Sequence, residues 1–288
     1  MFKIKRWEEL TITDDFMFCK VMSDPILCKE LLEILLHIKI ERLDFLESQK
    51  SFRTAPESRG IRLNVYVKNS NRVFDIELQT TDEKNLELRS RYYQGVMDID
   101  ELERGELFFN MKESFIIFIC MFDPFGQNLP IYTVKQTFAE NNKLFFDDKT
   151  HKIFYNVNAF EKLSDDVETK AFLKYLCKKQ STTKFTQSLE RAVHKNRNNQ
   201  YWRHDYMTLA YNIYVAAKKA AEETVKETVE EAVKNAVEEA VKEATEKVAA
   251  EARKESKLET AKVLKAAGVS INLIVDSTGL SVEEINSL

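Results

Sequence analysis

The chain has 288 residues and a formal net charge of −4, with a pI near 5.8, enough for one large core or one core plus an appendage. That charge excludes the global basic field that announces a nucleic-acid binder and leaves room only for a local basic groove. No apolar run approaches the ~20 residues of a membrane span, and the N-terminus MFKIKRWEEL has no signal-peptide apolar region. Cys19, Cys28, Cys120 and Cys177 are scattered, without a paired spacing or a nearby His, which fits a reducing cytoplasm and no zinc site.

From the N-terminus, residues 13–22 set Phe16, Cys19 and Lys20 at helical spacing behind Thr13 or Asp14 as N-cap. Asp24-Pro25 restarts a helix with Pro at its first position, and Leu27, Leu31, Leu32, Leu35 and Leu36 form its buried stripe. Arg42 to Leu46 reads as a short strand, and 47–60, with Pro56 and Gly60, as a loop.

Two alternating runs follow, around an Asn-Ser-Asn turn. Ile61, Leu63, Val65 and Val67 face one way against Arg62, Asn64, Tyr66 and Lys68; Phe74, Ile76 and Leu78 oppose Asp75, Glu77 and Gln79. Period-two alternation with β-branched and aromatic residues predicts a β-hairpin. Both apolar faces must meet the same core, because a one-residue slip would carry Asp75, Glu77 and Gln79 into it. That parity, with a two- or four-residue loop, sets Asn64 opposite Glu77, where opposed β-carbons lie about 5 Å apart and two side chains can share one ion.

Leu86 to Glu103 has Leu88, Tyr92, Val96, Ile99 and Leu102 in helical phase, with Arg89, Arg91, Tyr93 and Gln94 as the polar groups around it. SFIIFICMF (114–122) is an uninterrupted apolar run, the mark of a strand covered on both faces. A strand at Ile131–Val134 and a second hairpin over Leu144–Asn156, turning at Asp147-Asp148-Lys149, complete the β part. Helices between strands predict an α/β fold with a mixed sheet flanked by helices.

Residues 161–215 are helical in pattern, and the repeat TVKE TVEE AVKN AVEE AVKE ATEK follows. Glu222–Lys226, Glu230–Lys234, Glu238–Lys242 and Glu243–Lys247 take the favourable i to i+4 order, which supports a continuous helix of about 60 Å over 218–257. A four-residue repeat turns about 400°, so its Ala/Val stripe drifts about 40° per repeat and builds no heptad seam. The final unit, 256–288, has helices closed by Gly268 and Gly279 and a capping box at Ser281-Val-Glu-Glu. It is similar to a helix-turn-helix, but with Asn272 as nearly the sole base-reading side chain it fits a docking or dimerising cap better. The domain reading is therefore 1–160, 161–217, 218–255 and 256–288.

A carboxylate on one strand facing Glu-x-(Lys/Gln) on its neighbour is a metal-nuclease arrangement. Hard oxygen ligands hold Mg²⁺, and the residue two beyond the Glu shares its face of the strand. Alone, Glu-x-Gln fits the solvated polar face of an edge hairpin better than a metal site. His37, His151, His194 and His204 join no recognisable motif, while Lys195, Arg197 and Arg203 form a local basic cluster.

Further stretches carry a resemblance: Asp14-Asp-Phe-Met-Phe, Ser23-Asp-Pro-Ile-Leu-Cys-Lys-Glu-Leu-Leu, Ile61-Arg-Leu-Asn-Val-Tyr-Val, Asp75-Ile-Glu-Leu-Gln-Thr, Arg89-Ser-Arg-Tyr-Tyr-Gln and Ile117-Phe-Ile-Cys-Met-Phe-Asp-Pro-Phe-Gly. With Trp202-Arg-His-Asp-Tyr-Met-Thr-Leu and the helical end, the chain resembles the Rpn family of recombination-promoting nucleases, also described as PD-(D/E)XK nuclease family transposases. The resemblance implies a restriction-endonuclease-like core that cuts double-stranded DNA with Mg²⁺ or another divalent cation, in bacterial cytoplasm, in recombination or phage defence. By position it implies that residues 64 and 77 bind the metal, that Gln79 fills the usual Lys slot of the wider superfamily, and that Asp15 is the acid of the opening motif. Tyr93 and Gln94 match the family's YYQ and would touch substrate or brace the site; Arg62, Arg89 and Arg91 become candidate phosphate contacts. Where the family reads Arg-Leu-Asp this chain reads Arg62-Leu63-Asn64. An amide oxygen coordinates a cation without bringing charge, so cleavage should be impaired. A naturally degenerate member and an inactivating acid-to-amide change both fit. The expectation is a DNA endonuclease, dimeric through its helical C-terminal part. The alternatives are a catalytically silent DNA- or protein-binding module on the same fold, or an interaction protein acting through its long helix and cap.

Overall fold

The continuous apolar run near residue 117 is the axis of the molecule. In the computed structural model, which describes residues 4–52, 60–82 and 84–288, it forms strand β4 (Glu113–Cys120), buried on both faces. Before it come helices α1 (Asp15–Met22) and α2 (Pro25–Leu36), strands β1 (Phe45–Phe52), β2 (Ile61–Lys68) and β3 (Arg72–Gln79), and helix α3 (Leu86–Glu101). After it come β5 (Ile131–Thr133), β6 (Thr137–Phe138), β7 (Asn141–Phe145) and β8 (Thr150–Asn156), then α4 (Val167–Lys178), α5 (Lys184–Arg197), α6 (Gln200–Ala266), α7 (Ile271–Thr278) and α8 (Val282–Asn286). The main sheet is mixed, in the order β1-β2-β3-β4-β8-β5, with β3, β4 and β8 parallel and the remaining pairs antiparallel. Parallel strands need a crossover, and α3 supplies the one from β3 to β4.

Each face of the sheet has its own core. Val65, Val67, Phe74, Ile76, Phe115, Ile117 and Tyr155 pack on one side against α1, α2, α4, α5 and the first turns of α6. Tyr66, Val73, Ile116, Phe118 and Phe154 pack on the other against Leu86, Tyr93 and Met97 of α3. Helix α2 starts as its sequence dictates, with Asp24 Oδ1 accepting from the backbone of Ile26 at 2.9 Å and Pro25 at the first position.

Four local expectations are corrected. First, α3 is rotated from the predicted phase: Leu88, Tyr92 and Ile99 are 54%, 40% and 66% exposed, while Leu86, Ser90, Tyr93, Gln94 and Met97 are buried with Val96. The face of β3 beneath the helix is polar, so polar residues of α3 turn inward. Second, β1 begins at Phe45 and runs on through residues read as loop; the part of that loop containing Pro56 lies outside the described residues. Third, β7 and β8 are no hairpin: β7 pairs with β6, and β8 lies between β4 and β5. Fourth, Leu63 belongs to the α3-side core while Val65 and Val67 belong to the other, so the alternation of β2 breaks at Asn64.

The chain divides into two compact units, one ending at Tyr211 and one from Asn212 to Leu288. In the second, α6 is exposed through the repeat, and its close ion pairs run in the reverse order from that expected, Lys218–Glu222, Lys219–Glu223 and Lys226–Glu230, each at 3.8 Å. Ala261, Ile274, Leu280 and Ile285 make a small core where α7 and α8 fold on the end of α6. Gly268 and Gly279 close helices at φ 83° and 69°, and Ser281 with Glu284 forms the predicted capping box.

The phase of α3 is open to a direct check. Met97→Ala should cost about 2–5 kcal/mol, and Ile99→Ala should stay within about 0.5 kcal/mol, in urea unfolding followed by circular dichroism; equal costs would contradict the packing.

Candidate active site

The hairpin register places the two residues of interest against one another. The β2–β3 ladder runs from Lys68–Val73 to Val65–Ile76, and just beyond its end Asn64 and Glu77 meet through the backbone of one and the side chain of the other. On its other side, β1 pairs Ser48 with Val65 and Lys50 with Leu63 and skips the step between them, where Gln49 takes φ 58°. Asn64 therefore turns its backbone to other partners. Its N–H donates to Glu77 Oε1 at 2.7 Å, and its carbonyl accepts from Cys19 Sγ at 3.4 Å. This irregularity joins β2 both to the acid of β3 and to α1.

The predicted polar face of β3 is buried rather than solvated: Asp75 is 0%, Glu77 2% and Gln79 8% exposed. Unpaired polar groups at such depth are costly, and a short chain of contacts answers most of that cost. Gln79 Nε2 donates to Glu77 Oε2 at 3.3 Å, and Gln79 Oε1 accepts from Arg89 Nη1 at 2.7 Å. Arg89 Nη2 donates to Tyr93 Oη at 3.0 Å and stands 3.9 Å from Glu77 Oε2. Its guanidinium lies over the rings of Tyr93 and Phe118, 5.5 and 5.7 Å from their centres.

Asp15, at the start of α1, approaches from the opposite side of the sheet. Its Oδ2 is 3.7 Å from Arg62, and its Oδ1 accepts from Cys19 Sγ at 3.8 Å. The structure thus brings Asn64, Glu77, Gln79, Arg89 and Tyr93 together and links Asp15 through Cys19. It turns Gln94 elsewhere: Gln94 Nε2 donates to Ser114 Oγ at 2.7 Å and Asp98 Oδ1 at 2.8 Å, bracing α3 against β4. Arg91 is exposed on α3. The basic cluster is largely committed, since Arg197 donates to the carbonyl of Leu10 at 2.8 Å and Arg203 pairs with Glu8 at 3.0 Å. His37 and His151 have Nε2 3.0 and 2.9 Å from carboxylate oxygens of Asp166 and Glu113, and His194 and His204 are exposed.

Sequence reasoning missed Asp75. It lies two residues before Glu77 on the same face, and neither of its oxygens has a hydrogen-bond partner. The signal was the spacing: the alternation that turns Glu77 toward α3 turns Asp75 there too. Burial pushes the Asp75 carboxyl well above its ordinary range, and the neighbouring Glu77 charge adds to the effect. Burial also lifts Glu77 to about 7, against the pull of the Asn64 backbone N–H and Arg89 and with a further push from Asp15. Burial raises Asp15 as well, offset in part by Arg62, and raises the Cys19 thiol well above its ordinary value, leaving it a poor nucleophile.

The donor set is hard oxygen. Magnesium is held by one or two carboxylates plus waters; Glu77 offers one carboxylate, and an amide at 64 would bring an oxygen without charge. Among the described residues no group of three or more His, Cys, Asp or Glu side chains could hold a metal. The unpartnered oxygens of Asp75 and the raised Glu77 carboxyl would each gain from a nearby divalent cation.

A mixed sheet with helices on both faces, and an acid buried at its centre opposite an adjacent strand, has the architecture of a nuclease-type α/β core. The chain belongs to the PD-(D/E)XK nuclease family transposases, whose family model matches residues 14–267. No match is found among curated proteins or solved structures. No helix among the described residues is long and apolar enough to cross a membrane.

The buried acids make stability fall with rising pH. Between the ordinary carboxylate range and about 7 the folded state holds a proton on Glu77 that the unfolded chain has lost, so unfolding becomes easier across that window. Carboxylates held low, such as Asp100, Glu101 and Glu113, act in the opposite sense and only below that range. Urea midpoints should decline from pH 5 to 7 in the native chain and flatten when Asp75→Asn and Glu77→Gln are combined; an unchanged slope would place these protons elsewhere.

Proposed function

We propose that this chain is a divalent-metal-dependent DNA endonuclease core whose activity is impaired by Asn64. The observation that carries the reading is the 2.7 Å bond from the Asn64 backbone to Glu77 Oε1, which holds residue 64 against the acid that would bind the metal. Glu77 and the side chain of residue 64 would hold Mg²⁺ or a related ion, with Asp15 adding negative charge. The bound ion would polarise the scissile phosphate and lower the pKa of an attacking water.

The chain's own residues have separate tasks. Glu77 must be ionised to serve, so its raised proton affinity ties competence to pH near or above 7. The Asn64 N–H and the Gln79 amide fix the two carboxylate oxygens in direction before any ligand arrives. Tyr93 holds the helix-borne cation in place, and Gln94 braces α3 on β4. Arg62 and Arg91 are candidate phosphate contacts on double-stranded DNA. The long helix and small helical end would join two copies, presenting two sites to the two strands, and the setting would be recombination or phage defence in bacterial cytoplasm.

A second reading rests on Asn64 itself: a catalytically silent module that keeps the fold and binds DNA or protein. Supercoiled plasmid incubated with Mg²⁺ or Mn²⁺ separates the two. The Asn64→Asp variant should nick at least about tenfold faster than the native chain, since the lost charge is worth more than 1.4 kcal/mol in a desolvated site. EDTA, or Glu77→Ala in the same background, should abolish nicking. DNA retardation in gels without nicking by either form would favour the silent module.

A further inference from the structure

We propose that Arg89 supplies from α3 the positive charge that the Glu-x-Gln pair lacks, placing its guanidinium against a nonbridging oxygen of the phosphodiester to be cut. This rests on the nuclease reading above and assigns a catalytic residue to it. Phosphodiester hydrolysis forms a bond from water oxygen to phosphorus and breaks one from phosphorus to a deoxyribose oxygen. The water gives its proton to solvent, and the deoxyribose oxygen takes one up. Negative charge grows on the nonbridging oxygens, so a fixed cation beside them lowers the barrier.

Gln79 cannot be that cation, because an amide carries no charge. Both ends of its side chain are already spent: Nε2 on Glu77 at 3.3 Å and Oε1 on Arg89 at 2.7 Å. It works as a spacer that holds guanidinium and carboxylate at a set separation. Were Arg89 only a counterion for Glu77, it would bond that acid more closely than its neighbours on β3. Instead it bonds neutral Gln79 at 2.7 Å and stays 3.9 Å from Glu77 Oε2. That distance leaves the acid's oxygens available to a metal.

The side chain is also held and reachable at once. Tyr93 Oη accepts from Nη2 at 3.0 Å, and the rings of Tyr93 and Phe118 lie beneath the guanidinium. Yet 25% of the Arg89 side chain is accessible to solvent, against 3% for Glu77. A phosphate can therefore meet the cation without entering the core. A guanidinium presents a planar fork of N–H donors, which suits phosphate oxygens better than a point charge does.

The test uses the full chain with Asn64→Asp as parent, comparing Arg89→Ala and Arg89→Lys. With saturating Mn²⁺, single-turnover plasmid nicking by Arg89→Ala should fall about 100-fold, Arg89→Lys should fall less, and low millimolar guanidinium ion should restore part of the Ala variant's rate. Mn²⁺ affinity of Arg89→Ala, from calorimetry without DNA, should be unchanged or tighter, because a nearby cation is gone. Nicking by Arg89→Ala within threefold of the parent would overturn the inference and leave the nuclease reading standing. Loss of nicking together with weakened Mn²⁺ binding and no rescue would make Arg89 a structural counterion, again overturning it. A parent that does not nick would instead sink the nuclease reading, and this inference with it.

Discussion

The architecture depends on one constraint: the face of β3 carrying Asp75, Glu77 and Gln79 is buried in the middle of the sheet. A central strand with apolar residues on both faces would need no special partners. This one needs a proton or cation for Asp75, donors for both oxygens of Glu77, and a route for the Gln79 amide. The Asn64 backbone, Gln79 itself and Arg89 meet most of these needs, and each comes from a different element. The break in β2 pairing at Asn64 follows, since an N–H that serves Glu77 cannot also serve a neighbouring strand.

Covering a polar face fixes how α3 must lie. At its first half Arg89 reaches down to Gln79, and Leu86, Tyr93 and Met97 fill the apolar space beside it. Near its end a second set of charges ties it to β2. Tyr66 Oη lies 3.1 and 3.0 Å from Asp100 and Glu101, Lys68 pairs with both acids, and Lys112 joins Glu101 at 2.8 Å. Burial works to raise Glu101, but Lys112 and Lys68 outweigh it and hold its carboxyl below the ordinary range. Lys50 adds to the anchor, 3.5 Å from Asp100 and within 5 Å of the ring centres of Phe45, Phe52 and Tyr66. Pinned at both ends, the helix cannot rotate to bury Leu88, Tyr92 and Ile99 instead, and Arg89 stays over the acid.

The same constraint explains what could be read in the sequence. The parity argument follows from alternation and turn length, which are local, and the strands keep that register from Lys68–Val73 as far as Val65–Ile76, one step short of Asn64 and Glu77. The doubly covered β4, the capped start of α2 and the Gly-closed helices at the C-terminus are equally local signals, and all are present. The phase of α3 was not legible. Apolar periodicity assumes that a helix turns its apolar side to the core, whereas this one covers carboxylates and turns Ser90, Gln94 and Arg89 inward. Nor was the fate of β7 and β8, because an alternating run names a strand without naming its neighbour. Whether the polar face was solvated depended on which element crossed over it, a property of the β3-α3-β4 topology and not of the hairpin.

Asn64 can then be weighed from both sides. Before any ligand binds, Glu77 already lies beside Asp75 and within reach of Asp15, and burial holds its proton affinity up to about 7. A carboxylate at 64 would add a like charge to that cluster, making the unliganded fold less stable. The amide relieves this, and the bond to Glu77 Oε1 survives the exchange because it comes from the backbone. An amide at 64 thus burdens the fold less than an acid would, and on the proposed reading it weakens the cation site. On that reading an acid at 64, which would favour a divalent ion, is also the side chain the fold tolerates least without one, a stability–function trade-off confined to a single position.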